Sequence, residues 1–203
     1  MQVASLLIVL FMAGPSPDAP RYLLDSASRV RVSGDSTLHT WEAVSAKLDG
    51  RVIWEVKDND SLMTSVDKAV MAAPSFEARL KVASLKSGKA GLDSNLYKAL
   101  NYENFPEISF KKVTLKRTEC DDRFCRVRIK GLLSLAGRER WVTTVGIFRS
   151  TGSALMLNTR FGVKMTDFDV EPPSVFFGAI QAHDDVELSV DLIFKMAPLG
   201  AAS

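Results

Sequence analysis

At 203 residues, with 46% hydrophobic and 25% charged side chains, the chain can bury one good core and has no need of two. Lys and Arg total 26 against 24 Asp and Glu, a net charge of +2 whose signs are interspersed along the sequence. That balance leaves no electrostatic footprint for nucleic acid, so no nucleic-acid partner is expected.

Residues 3–14 form an apolar run too short for a membrane-spanning helix, which needs about 20 residues. They read as the h-region of a signal peptide over residues 1–19, although Arg21 is the first basic residue and Pro15, Pro17 and Pro20 crowd the cleavage site. A run kept on the chain would instead be a membrane-contacting tail. The folded domain is expected over 20–196 and a small-residue tail over 197–203.

Strand-like alternation then recurs with turn residues at short intervals, the pattern of a meander, sandwich or barrel. Candidate strands are 22–33, 38–46, 48–56, 77–82, 108–117, 126–135, 140–148, 154–163 and 186–194. The last is the cleanest, with Leu188, Val190, Leu192 and Phe194 opposing Glu187, Ser189 and Asp191. Residues 66–75, with Pro74, read as a loop. In 108–115 the apolar parity switches from Ile108 and Phe110 to Val113 and Leu115, which places a bulge near Lys111 and Lys112. Arg126, Arg128 and Lys130 alternate with Val127 and Ile129, which makes them first a solvated strand face and only second a patch for lipid phosphates. Residues 165–182, with Pro172 and Pro173, form an irregular stretch of the length that lids and mouths take.

Cys120 and Cys125 enclose Asp-Asp-Arg-Phe between two alternating segments and would face each other across a short hairpin. A disulfide there contributes about 2 kcal/mol in the chain-entropy model and requires an oxidising compartment. Two free thiols in a turn is the alternative. A zinc site would need two more ligands, and His39 and His183 are distant in sequence, so no metal is expected.

The stretch 84–110 interrupts this strand-like chain. Gly88 and Gly91 break the strand that precedes it, Asp93 can cap a short helix, Leu92 and Tyr97 fall at staple positions, and Leu92, Leu96 and Leu100 share one face. Asn101 ends the helix. Phe105, held extended by Pro106, leads into the next strand. A Ser-Leu-x-Ser-Gly-Lys turn, a short helix and a Phe-Pro-x-Ile-x-Phe re-entry between two strands resemble the YceI family of lipocalin-like, lipid-binding barrels. Ser36-Thr-Leu-His-Thr-Trp41, Gly131-Leu-Leu-Ser-Leu-Ala-Gly137 and the segment from Phe161-Gly-Val-Lys-Met to Pro172-Pro173, followed by Phe177-Gly178, match in order. The resemblance covers roughly residues 22–195, and Ser-x-Leu-His-x-Trp marks a subgroup within it.

The expected fold is therefore all-β, an antiparallel lipocalin-like barrel of about eight strands with a short helix inserted between two of them. Such a barrel is either filled by its own side chains or holds one small ligand. Trp54, Leu80, Val82, Phe110, Val113, Phe148, Leu157 and Phe161 are core residues first and cavity lining second. The resemblance implies the cavity, an apolar tunnel for a polyisoprenoid, a quinone or a related amphiphile. Leu92, Leu96 and Leu100 on the helix, beside a 165–177 loop carrying Phe168, would cover its opening. Candidates to meet the head group are His39, Lys86 and Lys89, the two lysines being solvated turn residues in the simpler reading.

His39 has further readings as a haem ligand or catalytic base, against the simpler one of a structural histidine whose ring bonds a carboxylate or carbonyl. Trp41 reads as a plug at the barrel end. No catalytic set is expected. Ser36 and His39 on extended chain would point to opposite faces, His183-Asp184-Asp185 is at best a surface turn, and Lys86-Ser-Gly-Lys89 lacks the flanking residues of a phosphate loop.

The sequence thus predicts an exported, periplasmic or secreted, monomeric or homodimeric binding protein for an apolar chain-like lipid. It would need no cofactor beyond a bound isoprenoid or quinone and would touch membranes transiently. A filled barrel acting through protein contacts, as a structural or stress-response envelope protein, is the alternative. A haem- or quinone-dependent redox partner is a distant third.

Overall fold

The computed structural model describes residues 21–51, 60–73, 76–151, 154–175 and 177–197. The expected signal peptide, Trp54 and the tail beyond residue 197 lie outside these residues. The described strands are β1 (Arg21–Leu24), β2 (Arg29–Ser36), β3 (Trp41–Ser45), β4 (Leu48–Arg51), β5 (Glu77–Lys81), β6 (Glu107–Cys120), β7 (Cys125–Leu135), β8 (Arg138–Ser150), β9 (Ala154–Lys164), β10 (Ser174–Val175) and β11 (Ile180–Ala197). Helix α1 (Leu62–Ala72) lies between β4 and β5, and α2 (Ala90–Ala99) between β5 and β6.

Nine strands follow one another around the wall in the order β3-β2-β11-β9-β8-β7-β6-β5-β4, every pair antiparallel. The N-terminal strand expected over 22–33 is divided. β1 and β2 both pair along one edge of β11, and between them a turn is held by Ser28 N–H on the Asp25 carbonyl (2.9 Å) and Ala27 N–H on the Asp25 carboxylate (2.9 Å).

The two ends of the path, β3 and β4, share no ladder. The wall closes there through the turn that follows β5. Val44 N–H donates to the Lys86 carbonyl (2.9 Å), Lys86 N–H donates to the Val44 carbonyl (3.0 Å), and the hydroxyls of Ser45 and Ser84 meet at 2.8 Å. The Ser84-Leu-Lys-Ser-Gly-Lys89 motif is therefore the closing seam of the barrel.

Alternation sets the wall. On β7, Cys125, Val127, Ile129 and Leu133 are buried inside while Arg126, Arg128 and Lys130 are exposed, the solvated face their spacing predicts. The β6 bulge falls where the parity switch put it. Register shifts between Lys111 and Thr114, and Lys112 takes a left-handed φ of 52°. Gly131 on β7 lies directly under the Phe110 ring, and a side chain there would occupy the ring's own place.

Helix α1 overturns the reading of 66–75 as a loop. Its N-cap Ser61 accepts from Thr64 N–H (3.1 Å), and Ser65, Val66 and Ala69 are buried. The helix closes one end of the barrel, with Val66, Ala69 and Ala73 in the cluster that holds Val113, Val127, Phe148, Leu155 and Phe194. Asp67 accepts from Arg117 of β6 (2.8 Å), tying the helix to the wall.

At the β6–β7 hairpin Cys120 and Cys125 are bonded and face each other in register, with Cα atoms 4.0 Å apart. The Asp121 carboxylate accepts from Arg123 N–H (2.7 Å) and Phe124 N–H (2.8 Å), which fixes the turn and holds its carboxyl below the ordinary range. Replacing both cysteines with serine should lower unfolding free energy by about 2 kcal/mol, read from urea titrations. An unchanged midpoint would show that the Asp121 turn alone holds the hairpin.

Candidate functional site: an apolar cavity with a polar mouth

The site is built first by α2. Leu92, Asn95, Leu96 and Ala99 recur at i, i+3, i+4 and i+7, so one face of the helix carries three apolar side chains and a carboxamide. Ser87 donates to the Asp93 carboxylate from its backbone N–H (2.8 Å) and its hydroxyl (2.6 Å), which pins the first helical turn to the closing seam. Asn101, at a φ of 50°, ends the helix as its sequence suggests.

On the opposite side of the opening, Met165, Val170 and Pro173 come from the segment between β9 and β10. That segment is also tied by a carboxylate. Asp184 of β11 accepts from Thr166 N–H (2.9 Å) and from the Thr166 hydroxyl (2.7 Å), and its own carbonyl accepts from Met165 N–H (2.9 Å).

Between these elements lies a cavity of about 470 Å³. Its walls are apolar, from Val32, Leu85, Leu92, Leu96, Leu100, Ile108, Leu133, Leu135, Val163, Val186 and Leu188 among others. Its polar lining is Ser36, His39, Lys89 and Asn95. A second apolar space of about 150 Å³ continues deeper, walled by Leu80, Phe110, Val113, Phe148, Leu157 and Phe161 and by Ala69 and Ala73 of α1. Val32, Ile108, Leu133 and Leu188 line both and form the partition between them. The first volume lies within the range of small-molecule sites.

The structure distributes the predicted residues unevenly. Leu92, Leu96 and Leu100 line the outer cavity, and Leu80, Phe110, Val113, Phe148, Leu157 and Phe161 the inner one. Val82 and Phe168, each 1% exposed, line neither: they are packed core beside the cavity, Val82 beneath α2 and Phe168 beneath the 165–170 segment.

The head-group candidates separate as well. Lys89 and His39 stand exposed on the rim. Lys86 turns away, its ammonium donating to the Tyr97 hydroxyl (2.7 Å), a bond that holds it above its ordinary range, and lying 5.1 Å from the Tyr97 ring centre. The simpler reading of His39 fails, because its ring bonds nothing among the described residues.

The extended backbone expected at Ser36–His39 also fails. The Ser36 hydroxyl accepts from Leu38 N–H (3.3 Å) and His39 N–H (3.1 Å) and donates to the His39 carbonyl (2.7 Å), so the segment is a turn and both residues face the mouth. Trp41 lines the mouth with its ring over Gly34, whose missing Cβ would stand 2.7 Å from the ring. Sequence reasoning missed Asn95. The signal was a polar residue inside the apolar i, i+3, i+4 face of α2.

Both carboxylate ties sit below the ordinary value of 3.8, Asp93 through its bonds from the Ser87 hydroxyl and N–H, Asp184 through its bonds from Thr166. A lowered folded value means that the stability they contribute is complete above pH 3.8 and is lost as pH falls through the folded values. Protection factors at the Ser87 and Thr166 amides, taken against the intrinsic exchange rate, should therefore fall selectively below that pH, and Asp184→Asn should remove the acid response at Thr166 alone. Uniform protection down to global unfolding would refute the two ties.

A lipocalin-like antiparallel barrel with an apolar interior and a polar mouth defines the class of small barrel that can hold one ligand. The YceI-like domain model matches residues 23–194, and the chain belongs to that family. Similar solved structures are Burkholderia cenocepacia BcnA (15% identity, TM-score 0.64, covering 84% of this chain and 99% of that one) and a polyisoprenoid-binding domain from Saccharophagus degradans implicated in plant cell wall breakdown (12% identity, TM-score 0.59, covering 88% and 99%). At these identities the likeness is one of fold. Functionally curated proteins give no match in sequence.

Proposed function

We propose that this protein is an exported binding protein for an apolar chain-like lipid, a polyisoprenoid, an isoprenoid quinone or a similar amphiphile, which it stores or carries in the periplasm or outside the cell. The observation that carries the reading is a cavity of about 470 Å³ whose walls are apolar except for Ser36, His39, Lys89 and Asn95. Each methylene moved from water into such walls contributes about 0.8 kcal/mol, so a long chain binds tightly with few polar contacts. The chain would lie in the outer cavity and reach toward the inner one, with its head at Ser36, His39, Lys89 and Asn95. The Saccharophagus domain, similar over most of its length, is described as polyisoprenoid-binding, which supports the same ligand class here. The protein acts as a monomer or homodimer, does no chemistry on the lipid, and exchanges it during transient contact with a membrane.

The test is mass spectrometry of an organic extract of protein purified from its native envelope. A stoichiometric isoprenoid or quinone would establish the carrier and name its cargo. An empty extract, with no uptake of added polyprenyl lipid, would move the reading to a filled barrel acting through protein contacts.

A further inference from the structure

Two large apolar side chains stand in water beside the cavity mouth. Leu38 is 67% exposed and Phe177 fully so. They come from turns distant in sequence that the structure ties together. Thr37 N–H donates to the Gln181 carbonyl (3.0 Å), the Thr37 hydroxyl donates to the Ala179 carbonyl (3.3 Å), and Gln181 N–H donates to that hydroxyl (3.2 Å). Leu38 follows Thr37 directly, and Phe177 lies in the turn joining β10 to β11. Ser36 and His39 beside Leu38, and Pro173, Ile180 and Ala182 within five residues of Phe177, line the cavity.

Phe177 is unusual on a second count. Its φ is 56°, a left-handed conformation that costs energy for a bulky residue, and no contact within the described chain offsets it. Glycine or asparagine would suit that backbone better. An aromatic exposed there is free to meet a surface outside the described residues. The apolar cavity beside it indicates which one. Charge there is mixed: Lys89 lies on the same mouth, while Asp35, Glu171 and Asp185 are exposed on the elements around it, so the apolar pair and not charge sets the attraction.

We propose that the Leu38–Phe177 rim is a bilayer-docking surface that seats the cavity mouth on a phospholipid membrane, with the two apolar side chains entering the acyl boundary. Such binding strengthens with the apolar area that enters the membrane. The inference rests on the lipid-carrier reading and supplies its missing step. A long apolar chain does not cross water, and a mouth pressed into the bilayer lets it pass from one apolar phase to the other.

The experiment compares the wild-type protein with a Leu38→Asp, Phe177→Asp double variant in flotation with vesicles of phosphatidylethanolamine and phosphatidylglycerol at 3:1. Farnesol binding without vesicles and gel filtration are measured in parallel. Expected is a loss of vesicle binding of about tenfold or more, the scale of two apolar side chains left in water, with farnesol affinity and elution volume unchanged. Equal flotation of both proteins overturns docking, as does a wild type that binds farnesol yet does not float. A variant that loses farnesol binding would make the rim part of the cavity. A shift from dimer to monomer would make it a self-association surface. Wild-type flotation without farnesol uptake would leave docking standing and defeat the carrier reading instead.

Discussion

Leu96→Asp is expected to reduce the affinity for a polyprenyl lipid by about 100-fold or more while the barrel still folds, because an unpaired carboxylate facing an apolar chain costs several kcal/mol. Leu96 faces the outer cavity from the middle of α2 and touches the core cluster of Leu80, Val82 and Leu85 only from its edge. The helix keeps its other anchors, the Ser87–Asp93 bonds and the Tyr97 hydroxyl on the Leu85 carbonyl (2.7 Å). Isothermal titration with a solubilised polyprenol, alongside thermal melts, separates the two effects. Lys98→Asp, on the exposed side of the same helix, controls for charge and should bind normally. Should Leu96→Asp unfold the protein, α2 is core and the mouth lies elsewhere.

The second large effect is on stability. Phe148, 2% exposed, stands on β8 opposite Cys125 and Leu157 in the wall of the inner space. Phe148→Ala removes a ring from a closely packed end of the barrel, and such truncations cost about 3–5 kcal/mol. Urea unfolding should show that loss. The same change joins new volume to the inner space, so the folded fraction should carry a lipid of equal or longer chain. A loss below about 1 kcal/mol would mean that the ring is loosely held and the inner space is already larger than it looks.

Much of the wall was legible because half-buried strands write their two faces into the sequence. β7 and β11 read correctly from alternation, and the bulge at Lys112 from a change of parity. The inserted helix α2 was legible from its glycines and leucines. Helix α1 was not, although Leu62, Val66, Ala69 and Ala73 keep helical spacing, since small alanines give a weak apolar signal and Pro74 drew the segment toward a loop. The turn at Ser36–His39 escaped because hydroxyl-to-backbone bonds, with no hydrophobic pattern, decide its shape.

At the site, leucines and phenylalanines were named correctly as interior positions, yet which of them face a void and which are packed solid depends on three-dimensional volume. Val82 and Phe168 differ from Leu80 and Phe110 in nothing that a one-dimensional pattern records. Asn95 was hidden for the opposite reason. One polar residue on a helix face reads as noise until the cavity gives it a place.

The strand order also fixes when this molecule can fold. Val30 of β2 pairs with Val190 of β11, so the first and last long strands lie side by side while the hairpins from β6 to β9 need only local partners. Closing so long a loop is entropically costly and slow. Residues 107–164 can pair as they emerge from the ribosome, and β2 can pair with β3, but that hairpin has no β11 edge to join until the last strand has been made. A chain arrested before residue 186 should therefore stay sensitive to protease across residues 21–45, and release of the last strand should be the step that completes the barrel.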